Sequence, residues 1–230
     1  MFKSQKHVFW QALLVTMVIF GTGIILGIIL ENWRTNKIDI LSELSQIELL
    51  DIKLQNEIYS SEIFNCELAI SENINFADKI YQEAKQLDRY EGASRLTDKI
   101  KLQHKKYDIL RAMLFTNSIQ IKEKCDNKYD EVVYFYQYDE PSLNTKAKQS
   151  TFSKILLELK EIRGNDILLI SMAGDNEISS INLILDKYQI SKEELPVILI
   201  NREFKITEVK TIRDLLKYID KDEQEDIIIL

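Results

Sequence analysis

Residues 8–30 have the sequence VFWQALLVTMVIFGTGIILGIIL, which is 23 residues without a charged side chain. As a helix this stretch is roughly 34 Å long, enough to cross the hydrocarbon core of a bilayer with some tilt. A helix is favoured there because lipid offers the backbone no hydrogen-bond partners. The alternative is a cleaved signal peptide, whose apolar region is typically about 7–15 residues long. We therefore predict an uncleaved transmembrane helix at 8–30, after a short N-terminus of residues 1–7.

The charges beside the apolar segment bear on its orientation. Lys3 and Lys6 precede it and Arg34 and Lys37 follow it, so the basic residues are equal in number. Basic residues near a span normally stay in the cytoplasm, and the α-amine adds one positive charge to the N-terminal side. We predict a single-pass protein of the cell membrane, with the N-terminus in the cytoplasm and the rest of the chain extracytoplasmic.

Gly23 and Gly27 form a G-x-x-x-G step within the apolar segment. Small residues four positions apart let two membrane helices approach closely, which favours a homodimer through this helix. The alternative is that glycine is simply common in membrane helices.

Composition excludes several classes of function. The net charge is −7, which argues against nucleic acid as a partner, and three of the six glycines lie inside the apolar segment. The remaining glycines stand alone, so no phosphate-binding loop or dinucleotide fingerprint is present and we expect no cofactor. Two cysteines and two histidines are too few and too scattered for a zinc site. The basic residues of 99–106 are interpreted as a solvated helix face, and the alternative is a site for an acidic partner.

Residues 31–126 have apolar residues at helical spacing and contain no glycine before Gly92. We predict helices that break near Ser71–Asn73, turn at 88–94 and pair as an antiparallel hairpin or short coiled coil. This region forms either a stalk or a helical layer packed on the distal domain. The predicted core stripes are Ile40, Leu44, Ile47, Leu50, Leu54 and Ile58; then Ile74, Ala77, Ile80, Ala84 and Leu87; then Leu96, Ile100, Gln103, Tyr107, Leu110, Leu114 and Ile121.

Cys66 and Cys125 are the only cysteines in the chain. They form either one disulfide, as an oxidising compartment would favour, or two buried thiols. A hairpin turn near residue 91 would place Phe115 opposite Cys66 and leave Cys125 roughly 15 Å too far along. A disulfide therefore requires a helix break near Asn73 or a helix that ends before Cys125.

Residues 129–220 alternate between strand and helix patterns. Apolar and β-branched runs predict strands at 131–138, 167–173, 197–201 and 204–207, and helical spacing predicts helices at 152–162, 178–188 and 209–219. The last two strands form a hairpin across Asn201–Glu203. This order predicts an α/β fold with a mixed sheet between helices. The tail at 221–230 is acidic and then apolar, and its sequence favours no particular role.

The order of these elements resembles the core of the thioredoxin fold, and the LPVILIN sequence at 195–201 resembles that family's proline-led strand. The resemblance implies a cis peptide bond before Pro196, with the proline facing the active-site loop. The family's C-x-x-C motif would fall on Glu140, Pro141, Ser142 and Leu143, where no thiol is present. Because disulfide exchange needs a thiolate, we expect no ordinary redox activity and no catalytic residue in this loop.

The sequence as a whole therefore predicts a membrane-anchored protein that presents a redox-inactive thioredoxin-like domain to an unknown protein partner. One alternative is a diverged thiol–disulfide oxidoreductase that uses Cys66 or Cys125. The other alternative is a purely structural, membrane-tethered coiled coil.

Overall fold

The computed structural model describes residues 5–61, 64–91, 98–125 and 129–219. The Cα positions divide the chain into two compact units, residues 1–44 and 45–230, and each is described by itself. Several predictions lie outside the described residues: the first four residues, the turn at 92–94, Leu96 and the tail at 221–230.

The described part of the chain is mostly helical and contains one four-stranded sheet. Its elements, in chain order, are α1 (Gln5–Ser60), α2 (Cys66–Glu91), α3 (Asp98–Lys124), β1 (Asp130–Tyr136), α4 (Leu143–Arg163), β2 (Ile167–Ala173), α5 (Ser179–Lys187), β3 (Val197–Ile200), β4 (Phe204–Ile206) and α6 (Ile212–Ile219), with short 3₁₀ turns at Gly164–Asp166 and Lys192–Glu194.

The N-terminal part of α1 contains the apolar segment. It is the one helix among the described residues that is long and apolar enough to cross a membrane, with a mean hydropathy of 2.7 over its most apolar stretch. Gly23 and Gly27 lie on this helix, and a Cβ atom at either position would meet nothing within 4 Å.

The sheet is mixed, with strand order β2-β1-β3-β4. β1 and β2 are parallel, whereas β3 runs antiparallel to β1 and β4 runs antiparallel to β3. One face packs against α4 and α6 through a core that includes Val132, Tyr134, Phe152, Leu159 and Leu215. Successive strand residues point to opposite faces of the sheet. The residues that point away from α4 and α6 face the side on which α2 and α3 contact β2.

The described strands match their predicted positions closely, but α4 is longer than predicted. It begins at Leu143 rather than at Phe152, because Ser142 caps its N-terminus by accepting the Thr145 N–H. The first nine residues of α4 are polar except for Leu143 and Ala147, which are exposed. No buried apolar stripe therefore marks this part of the helix.

The break between α1 and α2 differs from the prediction. α1 ends at Ser60, and Lys124 Nζ donates to the carbonyl oxygens of Tyr59, Ser60 and Ser61 at 2.7, 3.2 and 2.7 Å. A cation at this position satisfies carbonyls that a helix end leaves unpaired. Asn65 then caps α2, with its side chain accepting the Leu68 N–H, so the predicted break at 71–73 is wrong.

Cys66 and Cys125 form a disulfide, with their Cα atoms 5.7 Å apart. Cys125, rather than Phe115, therefore lies opposite Cys66 across the antiparallel pair of α2 and α3. The expected register is wrong because α2 continues to Glu91 and α3 begins only at Asp98, so the connection lies further along the chain than predicted. α3 also ends at Lys124, immediately before the second cysteine.

The described residues of the α2 and α3 stripes are buried, as predicted, but the α1 stripe is not. Ile47, Leu50 and Leu54 are 64%, 64% and 58% exposed, whereas Ile52 is fully buried. The buried face of residues 45–60 instead includes Ser45, which accepts a hydrogen bond from Gln103, and Glu48, which pairs with Lys79. Polar contacts thus select the packed face of this helix. The helices of residues 45–125, of which α2 and α3 contact β2, are the helical layer of this fold.

Candidate functional site

A cleft with a volume of about 990 Å³ lies at the outer edge of β2. Residues from α2 and α3 form one wall and residues from α4 form the other. Because α4 packs on the opposite sheet face, a cleft between these walls must run along the sheet edge. Its lining residues include Ala77, Asp78, Tyr81, Ala84, Lys85, Lys101, His104, Arg111, Tyr136, Tyr138, Asp139, Glu140, Pro141, Lys146, Lys154, Leu157, Lys160, Leu169 and Ser171.

Positive side chains outnumber negative ones in this lining. Six lysines and arginines contribute to it, against the three carboxylates of Asp78, Asp139 and Glu140. The chain as a whole has a net charge of −7. The cleft is therefore a local basic region on an acidic protein, and such a region attracts anionic groups.

The loop after β1 forms one end of the cleft and contains the positions where the resemblance places thiols. Asp175 holds this loop by accepting the Tyr138 and Asp139 N–H groups, both at 2.8 Å. Glu140 has a φ of 42°, a left-handed conformation. Glu140 and Pro141 line the cleft, whereas Ser142 caps α4 and Leu143 is 84% exposed. Ser142 thus has a structural role in this loop.

His104 was not predicted to approach this loop. Its ring lies 4.6 Å from that of Tyr138, measured between centroids. Lys101, one turn earlier on α3, also lines the cleft. The interpretation of residues 99–106 as a solvated face is therefore wrong for His104, which is buried, whereas Lys101 is exposed as predicted. The sequence signal was the basic cluster itself, but its position beside the β1 loop depends on the packing of α3.

Asp108 and Arg111 form a buried charged pair beneath the cleft, with Arg111 Nη1 3.2 Å from Asp108 Oδ1. Asp108 also accepts hydrogen bonds from the Ala173 N–H and the Asn176 amide. Burial raises the pKa of Asp108, while Arg111 and the two hydrogen bonds oppose that rise. Asp108 thus links α3 to the end of β2 and to the segment after it, which fixes one end of the cleft.

A second charged group joins α3 to the β3–β4 turn. Glu131 is fully buried, and its Oε2 lies 2.9 Å from Arg202 Nε and 3.9 Å from Lys122 Nζ. Asn201 accepts hydrogen bonds from Lys122 Nζ and from the Glu131 N–H. Glu131 Oε2 thus pairs with two cations, whereas Oε1 makes no hydrogen bond within the described chain. The arrangement is a structural connection between α3 and the turn.

The disulfide lies away from the cleft. Cys66 and Cys125 pack with Tyr59, Ala69 and Ile121 in a separate apolar cluster. Neither cysteine lines the cleft. Within the part of the chain that the structure describes, no group of three or more metal-ligating side chains comes together.

The Leu195–Pro196 peptide bond is cis. Gly174, at the end of β2, lies against Leu195, and a Cβ atom at Gly174 would come within 2.9 Å of Leu195 Cδ1. A side chain at this position would therefore require the Leu195 side chain to move. Pro196 is not among the described residues that line the cleft.

No family model, curated protein or solved structure matches the chain.

Proposed function

We propose that this chain is a single-pass membrane protein that presents a redox-inactive thioredoxin-like domain on the extracytoplasmic side, where it binds a protein partner. The observation that carries the proposal is the loop from Glu140 to Leu143. This loop follows β1 and opens α4, the position of the family's thiol pair, and its Ser142 caps the helix. The two positions where the family has thiols are Glu140 and Leu143, and the helix start between them is capped by the Ser142 hydroxyl.

Three further features support the thioredoxin-like assignment. The first is the strand order β2-β1-β3-β4 with β1 and β2 parallel. The second is the antiparallel pairing of β3 with both of its neighbours. The third is the cis bond before Pro196, at the start of β3. Together they agree with the resemblance in the order and direction of elements.

The disulfide supports an extracytoplasmic location. Disulfides persist in oxidising compartments and are rare in the cytosol. The bond closes a sequence separation of 59 residues and pins α2 to α3 within an apolar cluster. Cys125 is only 8% exposed, which is a poor position for exchange with a protein substrate.

A reduction assay tests redox inactivity. We expect the full chain in a neutral detergent to reduce insulin disulfides no faster than the detergent blank. Turnover that disappears in the Cys66→Ser/Cys125→Ser variant would instead establish the diverged oxidoreductase.

Thiol labelling of intact cells tests the orientation. Lys192 is exposed, so a Lys192→Cys variant should react with a membrane-impermeant maleimide before lysis. A Ser4→Cys variant, on the other side of the apolar segment, should react only after lysis. The reverse pattern would place the domain in the cytoplasm.

The homodimer through Gly23 and Gly27 remains part of the proposal. Both positions face open space on α1, so a second helix has room to approach there. We expect Gly23→Leu/Gly27→Leu to shift crosslinked full-length protein from dimer to monomer. An unchanged dimer fraction would remove this face from the proposal.

A further inference from the structure

We propose that the outer edge of β2 binds an extended, acidic peptide segment of a partner protein as a fifth strand. This inference deepens the proposed function, because it names the surface and the chemistry of the partner. It rests on the geometry of the sheet edge and on the charge of the cleft beside it.

β2 is a terminal strand of the sheet, and its outer edge faces the cleft. In a parallel strand the N–H and C=O groups of one residue point to the same side, and successive residues alternate between sides. Gly174 N–H donates to Tyr136 O on β1. The backbone N–H and C=O groups of the even-numbered β2 residues therefore point towards β1. The backbone groups of Ile167, Leu169, Ser171 and Ala173 therefore point outwards.

Side chains already occupy both ends of this outer edge. At one end Lys160 Nζ donates to Ile167 O at 3.2 Å, and at the other Ala173 N–H donates to Asp108 Oδ1 at 3.3 Å. Leu169 and Ser171 lie between them, are only partly buried and line the cleft. Their outward N–H and C=O groups are the ones that an added strand would pair with.

An edge strand whose central backbone groups, here those of Leu169 and Ser171, lack partners within the described chain is unusual. Proteins commonly protect an edge by keeping the strand short, by a proline or by a charged side chain. The opposite edge strand, β4, has only three residues and includes Lys205, whereas β2 has seven residues and no charged one. Strand addition to an exposed edge is an established mode of peptide recognition.

The cleft has the shape for an added strand. A strand lies roughly 4.8 Å from its neighbour and points its side chains alternately to two faces. Here Ala77 and Ala84 of α2 form one wall, and Leu157 of α4 forms part of the other. The volume of about 990 Å³ is at the upper end of ligand cavities, which are roughly 300–1,000 Å³.

The charges of the cleft select an acidic peptide. Arg111 is paired with Asp108, and Lys160 with Asp78. The side chains of Lys101, Lys146 and Lys154 are exposed and form no ion pair or hydrogen bond with the rest of the described chain. Carboxylates on a bound strand would pair with these lysines, and a basic peptide would be repelled.

The experiment measures binding of two labelled synthetic peptides, (Glu-Val)₅ and (Lys-Val)₅, to the full chain in a neutral detergent by fluorescence anisotropy. We expect saturable binding of the acidic peptide only, weakened by added salt. Lys101→Glu/Lys154→Glu should weaken it at least about tenfold. The matched control Lys192→Glu, exposed and outside the cleft, should bind normally. Equal binding of both peptides, or no effect of the charge reversal, would overturn the proposal.

Backbone pairing needs its own test. Ser171→Pro removes an N–H that β1 does not use, so the sheet can persist while strand addition weakens at least about tenfold. If that variant does not fold, amide hydrogen exchange of the wild-type chain provides the test instead. In the free chain the Leu169 and Ser171 amides should exchange faster than those of Ile170 and Met172, and the acidic peptide should slow them. Peptide binding without this protection would overturn strand addition.

Two other occupants of the edge would also overturn the proposal. If these two amides are protected without peptide, and deletion of residues 221–230 removes that protection, the occupant of the edge is the chain's own acidic tail. If the protection of these amides increases with protein concentration, the occupant of the edge is a second copy of the chain. Failure of any of these tests leaves the insulin and labelling results intact, so it is distinguishable from failure of the proposed function.

Discussion

The helical layer (residues 45–125) and the sheet portion (residues 129–219) bury different kinds of side chain. The sheet portion has an apolar core in which Glu131 and Asn176 are the buried polar residues. The layer buries many more, namely Ser45, Glu48, Asn73, Gln103, His104, Asp108, Arg111, Asn117 and Ser118. Since a buried polar group needs a partner, the layer is positioned by specific pairings as well as by apolar contact.

This difference explains which face of residues 45–60 of α1 is packed. Asn56 donates to Asn117 at 2.8 Å, Gln103 donates to Ser45 at 3.0 Å, and Lys124 holds the carbonyls at the end of α1. These pairings are possible only with the polar face turned inwards. The outcome is an exposed apolar stripe on α1, and it teaches that polar partners can decide which face of a helix packs.

The largest effect is expected at Asp108, which connects the layer to the sheet portion. Asp108→Ala removes the carboxylate that pairs with buried Arg111 and accepts from Ala173 and Asn176. We expect a loss of roughly 3–5 kcal/mol in the free energy of unfolding, measured by denaturant unfolding of the full chain in detergent. Asp98→Ala, at an exposed position on the same helix, should change it by less than about 0.5 kcal/mol. Similar effects of the two variants would contradict the connection.

The disulfide should come next. Cys66→Ser/Cys125→Ser releases a constraint across 59 positions, which the loop-entropy account values at roughly 4 kcal/mol, with measured values typically about 2–4. We expect a lower unfolding midpoint in the same experiment, and reduced wild-type protein serves as the matched control. A midpoint equal to that of the oxidised protein would show that the polar pairings hold the layer without the covalent bond.

A pair of substitutions on α1 tests which face packs. Ile52 is fully buried, whereas Leu54, two residues later, is 58% exposed. Ile52→Ala should cost about 2–4 kcal/mol in unfolding free energy, and Leu54→Ala should cost less than about 0.5 kcal/mol. A larger cost at Leu54 would mean that the apolar stripe is the packed face.

The smallest effect concerns pH. Burial, with the nearby Glu48 carboxylate, raises the pKa of Glu83 from 4.5 to about 7. The folded layer therefore keeps a proton that the unfolded chain has lost, so stability should fall as the pH rises from about 4.5 to 7. Because Glu83 is partly exposed, solvent screening reduces this effect to roughly 1 kcal/mol.

Glu83→Gln tests the pH effect directly. It should flatten the dependence of the unfolding midpoint on pH and make the protein more stable than wild type at pH 8. Glu67→Gln, at an exposed position on the same helix, should leave the wild-type slope unchanged. If the Glu83 variant keeps the wild-type dependence of the unfolding midpoint on pH, another group causes that dependence.

Much of the sheet portion could be predicted because its signals are local. β2 occupies the predicted residues, since an apolar run between Gly164 and Gly174 has few other interpretations. The first two turns of α4 were missed because Leu143–Ser150 has no apolar stripe, and its start depends on the Ser142 cap. The disulfide register was missed because it depends on the length of the connection between α2 and α3.

The candidate site was less predictable than the fold. Glu140 and Pro141 were singled out from the sequence, and they do line the cleft. The other contributors come from α2, α3 and α4, and nothing in the spacing of Tyr81, Lys101 and Lys154 along the chain indicates that they meet. Their proximity follows from the packing of the layer on the edge of the sheet.

The sequence by itself determined the apolar N-terminal helix, the alternation of strands and helices after residue 129 and the absence of thiols after β1, because each depends on neighbouring residues. Tertiary structure decided the pairing of Cys66 with Cys125, the inward face of α1 and the basic cleft at β2. These depend on which distant polar groups find partners, and a local pattern of apolar residues carries no information about that choice.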